Sequence, residues 1–239
     1  MQTNLEHEKK GEKKDVSKTK SNAIKIKEGR GTGSGASYLP WLETREVSSS
    51  GTCSNPIDWK TGRTVELLSQ GEAYWWHILR WDDDIKDIRE QYPLDLKTTL
   101  EICDDFCVHH PHNRNTYMTS DFYVTYVDGS EKVFSVKTSK KVLNKKRTKE
   151  KLAIEKVYWT KYRNVPFEIV YKDEMNIIFA ENIRMVCAYY NENNVFDEMS
   201  LLKHLIAIKY LNVDMESQRL DFMYLLETYR NVLNEKKWW

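Results

Sequence analysis

The stretch from Met118 to Thr138 constrains this chain most. Two runs rich in β-branched and aromatic residues, Met118–Val127 and Lys132–Thr138, flank the turn dipeptide Asp128-Gly129. Such a pair reads as an antiparallel hairpin. Asp121 lies near the start of the first strand and Lys137 near the end of the second, where core residues would be expected. Side chains alternate with a period of two, so Val133, Ser135 and Lys137 share one face and Phe134 and Val136 the other. A strict two-residue turn would set Asp121 against Val136 and send Lys137 to the opposite face. Asp121 and Lys137 meet only across an odd-numbered loop or a bulge, so a three-residue loop or a bulge is predicted.

A second carboxylate breaks a hydrophobic pattern upstream. From Thr64 to Arg80 the apolar residues Val65, Leu68, Trp75, Trp76 and Leu79 fall on a helical stripe, and Glu72 lies on it, seven residues from either end. An inward carboxylate is costly unless a hydrogen bond, an ion pair or a metal satisfies it. Ile85–Gln91 is predicted as a strand, Leu96–Phe106 as a helix, and Lys146–Arg163 as a longer helix with Leu152, Tyr158, Trp159 and Tyr162 inward. Val165–Tyr171 is predicted as a further strand, and the remainder as helices with the stripe Leu201, Leu205, Ile208 and Leu211 as core. This order predicts a mixed α/β domain over residues 37–171 and a small helical domain over 172–239.

Charge is uneven although the net is only +1. Residues 1–30 carry nine Lys/Arg against five Asp/Glu, and 137–151 carry eight against one. Residues 1–36, ending in a Gly-rich run, are expected to form a disordered basic arm. Lys140, Lys141, Lys145, Lys146, Arg147 and Lys149 are candidate phosphate contacts beside Lys137. A solvated helix start is the plainer reading of the same run. With 8 Trp and 14 Tyr the rest is expected to fold. Four cysteines suggest no disulfide framework, and no apolar run has membrane-spanning length, so a cytoplasmic protein is expected. Cys103, Cys107, His109, His110 and His112 look zinc-like, but Leu100, Cys103 and Cys107 also fit an apolar stripe, and core packing is the preferred reading.

Several strings occur in an order more specific than any one of them. Tyr38-Leu39-Pro40-Trp41, Trp59-Lys60-Thr61-Gly62-Arg63 and Leu67 to Glu72 are followed by Glu90-Gln91-Tyr92-Pro93-Leu94 and Thr119-Ser120-Asp121-Phe122. Val136-Lys137 and Lys151-Leu152-Ala153-Ile154-Glu155 with Tyr158-Trp159 complete the series. From Tyr38 to Tyr171 the chain resembles TnsA-type transposition endonucleases, which carry the PD-(D/E)xK nuclease site. The resemblance implies a restriction-endonuclease-like α/β fold and a winged-helix-like C-terminal domain. It implies Glu72 and Asp121 as ligands of Mg²⁺ (or Mn²⁺), with the Val136 carbonyl as a further ligand, and Lys137 as base or electrostatic stabiliser. It also implies cleavage at the 5′ sides of transposon ends, beside a TnsB-like DDE transposase and a TnsC-like ATP-dependent regulator. One departure stands out: Ser135 occupies a place where the family usually has Gln or Glu, which bears on its own coordination of metal. A stand-alone restriction- or resolvase-like nuclease, and an assembly module with a decayed site, remain the alternatives.

Overall fold

A computed structural model describes residues 20–47, 51–111 and 115–236. Helix α1 (Asn22–Lys27) precedes α2 (Gln70–Trp81), β1 (Ile85–Pro93), α3 (Leu96–Asp105), β2 (Thr119–Tyr126) and β3 (Glu131–Lys137). Then come α4 (Lys146–Val157), β4 (Phe167–Tyr171), α5 (Ile177–Cys187), α6 (Glu198–Ala207), α7 (Phe222–Thr228) and α8 (Arg230–Lys236). The strands form one mixed sheet in the order β1-β2-β3-β4, with β1–β2 and β2–β3 antiparallel and β3–β4 parallel. Parallel pairing needs a crossover, which α4 supplies.

Phe122, Phe134 and Val136 pack with Trp76 and Leu79 of α2 on one side of the sheet. Tyr123 and Val133 pack with Ile102 of α3 and with Ile154, Tyr158 and Trp159 on the other. The hairpin closes as the side-chain alternation requires. Thr125 pairs with Glu131, and Tyr126 N–H donates to Ser130 O, leaving the three-residue loop Val127-Asp128-Gly129. Gly129 takes the left-handed conformation there (φ 85°), a backbone that favours glycine.

Three boundaries differ from expectation. Val65 and Leu68 precede α2, because Ser69 caps it by accepting the Glu72 N–H; Ser54 and Leu67 form a β-bridge instead. Helix α4 ends at Val157 and gives way to a π-helical turn over Tyr158–Tyr162, which buries Tyr158 and Trp159 but leaves Tyr162 half exposed. The expected arm is not disordered from residue 22 onward. Helix α1 and the turn after it pack Lys25 and Arg30 into the body, where Glu46 takes both at 3.4 and 2.6 Å and Glu43 takes Arg30 at 3.0 Å. Residues 1–19 lie outside the described segments, as do His112 and the Trp238-Trp239 pair.

Among the described residues no strand follows Tyr171, so no β-hairpin wing is present there. The C-terminal helices share their own core, with Leu201, Leu205 and Leu211 buried and Ile208 exposed. Among the described residues no helix is long and apolar enough to cross a membrane.

Candidate active site

The site forms where β2 and β3 part. Their ladder ends at Phe122–Phe134, and the same register carried one step further sets Asp121 opposite Ser135. There the Asp121 carboxylate takes the place of a strand: Oδ2 accepts the Val136 N–H at 2.6 Å and lies 3.3 Å from Ser135 Oγ. Lys137, on the face of Ser135, donates through Nζ to Asp121 Oδ2 at 3.1 Å, Ser135 Oγ at 2.7 Å and Val136 O at 2.8 Å. Burial would lower the Lys137 pKa, but the Asp121 and Glu155 carboxylates outweigh it and hold the ammonium above its ordinary value.

Glu72 enters from the first turn of α2 and is buried. Its Oε1 accepts from Ser69 Oγ at 2.8 Å; its Oε2 accepts from Leu68 N at 2.9 Å and from Gln91 Nε2 at 3.0 Å. Burial first, and the Asp121 charge second, raise its pKa to about 7. Gly71 lets this turn approach the sheet, since a Cβ there would sit 3.1 Å from Val136 Cγ1.

Glu72, Asp121, Val136 and Lys137 line a single cleft of about 470 Å³, with Gln70, Val142 and Lys172 on its border. The structure therefore brings together every residue expected at the reaction centre, and sets Ser135 directly beneath it.

Two buried residues were not anticipated as parts of the site. Glu155 of α4 accepts from Ser120 Oγ at 2.6 Å and from Ser135 Oγ at 3.3 Å, and Trp159 Nε1 donates to the same Ser120 oxygen at 2.7 Å. Complete burial raises Glu155 to about 7 against the pull of Lys137. The signal was available: Leu152, Glu155 and Trp159 recur at helical spacing, so Glu155 is a carboxylate on an apolar stripe just as Glu72 is. Gln91 is the other, and its backbone conformation has no signature in composition. Lys172 was also missed; at the cleft edge its Nζ donates to Gln70 Oε1 at 2.6 Å.

The basic run divides. Lys140 is paired with Glu174 at 2.5 Å. Arg147 donates to the carbonyls of His109 and His110 at 2.6 and 2.8 Å and pairs with Glu150, so it fastens α4 to the loop between α3 and β2. Lys146 lies 3.9 Å from Glu150. Lys141, Lys145 and Lys149 are exposed and form no ion pair among the described residues. Cys103 is core, Cys107 is exposed beyond the helix, and His110 is buried against Thr99 and the Pro111 carbonyl. Among the described residues no three His, Cys, Asp or Glu side chains converge as a metal cage.

The oxygens at the centre nevertheless suit a hard cation. Asp121, Ser135 and the Val136 carbonyl already surround one positive charge, the Lys137 ammonium, at 2.7–3.1 Å. Asp121 and Val136 line the open cleft, with Ser135 buried behind them, and oxygen donors of this kind are what a hard divalent cation takes together with water.

Comparison with known proteins gives the chain a family. Residues 82–172 match the family model described as TnsA-like endonuclease N terminal. Over 212 residues the chain is 35% identical to the Transposon Tn7 transposition protein TnsA of Escherichia coli, a match covering 86% of this chain and 77% of that one. With its nuclease-type sheet and oxygen-lined cleft, the chain belongs to the TnsA family of transposition endonucleases.

Proposed function

We propose that this chain hydrolyses one phosphodiester bond at the 5′ side of each transposon end, with a divalent cation, Mg²⁺ or Mn²⁺, at Glu72, Asp121 and the Val136 carbonyl. The observation that carries this reading is the meeting of Asp121, Val136 O and Lys137 beside Glu72 in one open cleft. When bound, the cation supplies Lewis acidity toward the scissile phosphate.

The chain's own residues do the rest. Lys137 holds a proton-bearing, positively charged nitrogen at the cleft floor, where it offsets charge developing on the phosphate or orients the attacking water. Ser135, too short to reach outward, acts from below by bridging Asp121 and Glu155. Lys172 at the cleft edge and the exposed Lys141, Lys145 and Lys149 contact the DNA backbone, which positions the duplex without reading its sequence. End recognition and cutting of the other strand fall to a TnsB-like transposase, and control to a TnsC-like regulator. The C-terminal helices, which share their own core, contact DNA or these partners.

The test is strand-specific cleavage of an end-containing duplex with Mg²⁺ and the cognate transposase subunit. Loss of 5′-strand cuts alone in Asp121→Asn and Lys137→Ala supports the assignment. Unchanged 5′ cuts in both would move the chain to the role of a non-catalytic assembly module.

A further inference from the structure

We infer that Gln91 is a positioning residue that fixes the Glu72 carboxylate against the sheet for cation binding. This rests on the proposed role of Glu72. Gln91 is buried near the C-terminal end of β1 and adopts the left-handed conformation, with φ 49°. Such a backbone is rare for a side chain other than Gly, Asn or Asp, and inside a strand it persists only where its surroundings demand it. The ladder is unbroken on either side, Glu90 pairing with Phe122 and Tyr92 with Ser120, so Gln91 faces Asp121 across the sheet.

At this level both strands roll over. Ile88 packs on the α2 side, yet Tyr92, four residues on, packs with Tyr123 and Trp159 on the other side. In β2, Phe122 belongs to the α2-side core, while Ser120, two residues away, bonds Glu155 and Trp159. An even spacing should have kept each pair on one face.

The roll places the Gln91 amide between two partners. Thr119 Oγ1 donates to its Oε1 at 3.2 Å, which leaves Nε2 to donate to Glu72 Oε2 at 3.0 Å. The other hydrogen bonds to Glu72 come from Leu68 and Ser69, at its own helix start. Among the described residues Gln91 alone ties it by a hydrogen bond to the sheet that carries Asp121. If only the turn of the backbone mattered, Gly or Asn would fill position 91 with less strain. What Gln adds is reach, and the reach ends on Glu72.

The experiment is calorimetric titration of the full metal-free chain with Mn²⁺, comparing wild type, Gln91→Asn, Gln91→Gly and Asp121→Asn, with urea unfolding as a check on folding. Both Gln91 variants suit the left-handed backbone, and neither reaches Glu72. The expected result is a half-saturating Mn²⁺ concentration raised about 10-fold or more in both, the scale of losing a partner that orients a ligand. Their unfolding midpoints stay near wild type. Wild-type Mn²⁺ binding in both, with binding lost in Asp121→Asn, overturns the positioning role alone. Wild-type binding in Asp121→Asn overturns the cation site and this inference with it. Failure of both Gln91 variants to fold also overturns it, since Gln91 would then serve the fold itself.

Discussion

Lys137 Nζ lies 3.1 Å from Asp121 Oδ2, the same oxygen that accepts the Val136 N–H at 2.6 Å. The ammonium thus shares its oxygens with any divalent cation that binds there. On the proposed mechanism, removing it takes away a competitor for the metal and a participant in the reaction together. Lys137→Ala is expected to bind Mn²⁺ as tightly as wild type or more so, while 5′-strand cleavage falls by roughly 10²–10³-fold. Calorimetry and single-turnover cleavage read the two effects separately, and weaker Mn²⁺ binding in this variant would count against the shared site.

Acidity offers a second handle. Burial raises Glu155 to about 7 from an ordinary value of 4.5, so the folded chain holds a proton there that the unfolded chain has lost. Its contribution to stability therefore falls as pH rises from about 4.5 to 7. His77 acts with the opposite sign: burial lowers it to about 4, and stability rises as pH climbs from there toward 6.5. The difference between Glu155→Gln and wild type cancels His77 and isolates Glu155. In metal-free buffer the variant should gain on the order of 1–3 kcal/mol relative to wild type between pH 5 and pH 8. Urea unfolding at the two pH values measures this, and a constant difference would refute it.

Salt dependence separates the basic residues. Each phosphate contact contributes about 0.9 to the slope of log affinity against log salt on duplex DNA. Lys149→Gln and Lys172→Gln should each flatten that slope by about this amount without changing the unfolding midpoint. Arg147→Gln should leave the slope nearly unchanged and lower the midpoint, because it removes hydrogen bonds to His109 O and His110 O. A flattened slope for Arg147→Gln alone would reverse these assignments.

Truncation to residue 37 would strip Lys25 and Arg30 from Glu46, which is 8% exposed. A buried carboxylate deprived of its cations costs about 3–5 kcal/mol. The shortened chain should therefore unfold at clearly lower urea than full length, whereas a dispensable arm predicts equal midpoints.

The sequence made Glu72, Asp121 and Lys137 legible because each is a polar residue in an apolar period, and the hairpin register tied two of them together. Glu155 obeyed the same logic but stood among Lys151, Glu150 and Lys156, where a charged residue passes for surface. Gln91 is set apart by a backbone angle, which composition does not encode. The N-terminal segment misled for a related reason. Lys and Arg are mostly exposed, so a basic stretch reads as solvated, yet Lys25 and Arg30 find acidic partners that lie far along the chain. The C-terminal wing followed from resemblance alone, with no strand pattern of its own behind it.

Because the Asp121 carboxylate stands in for the missing stretch of strand, the proposed role at the cation gives selection a second, independent reason to retain it. A descendant that had ceased to cut DNA would still lose a bond to the Val136 amide if it discarded this residue. Persistence of Asp121 in a relative is thus a weak sign of surviving chemistry. Lys137, which holds no backbone amide in place, should be the earlier casualty when the reaction is abandoned.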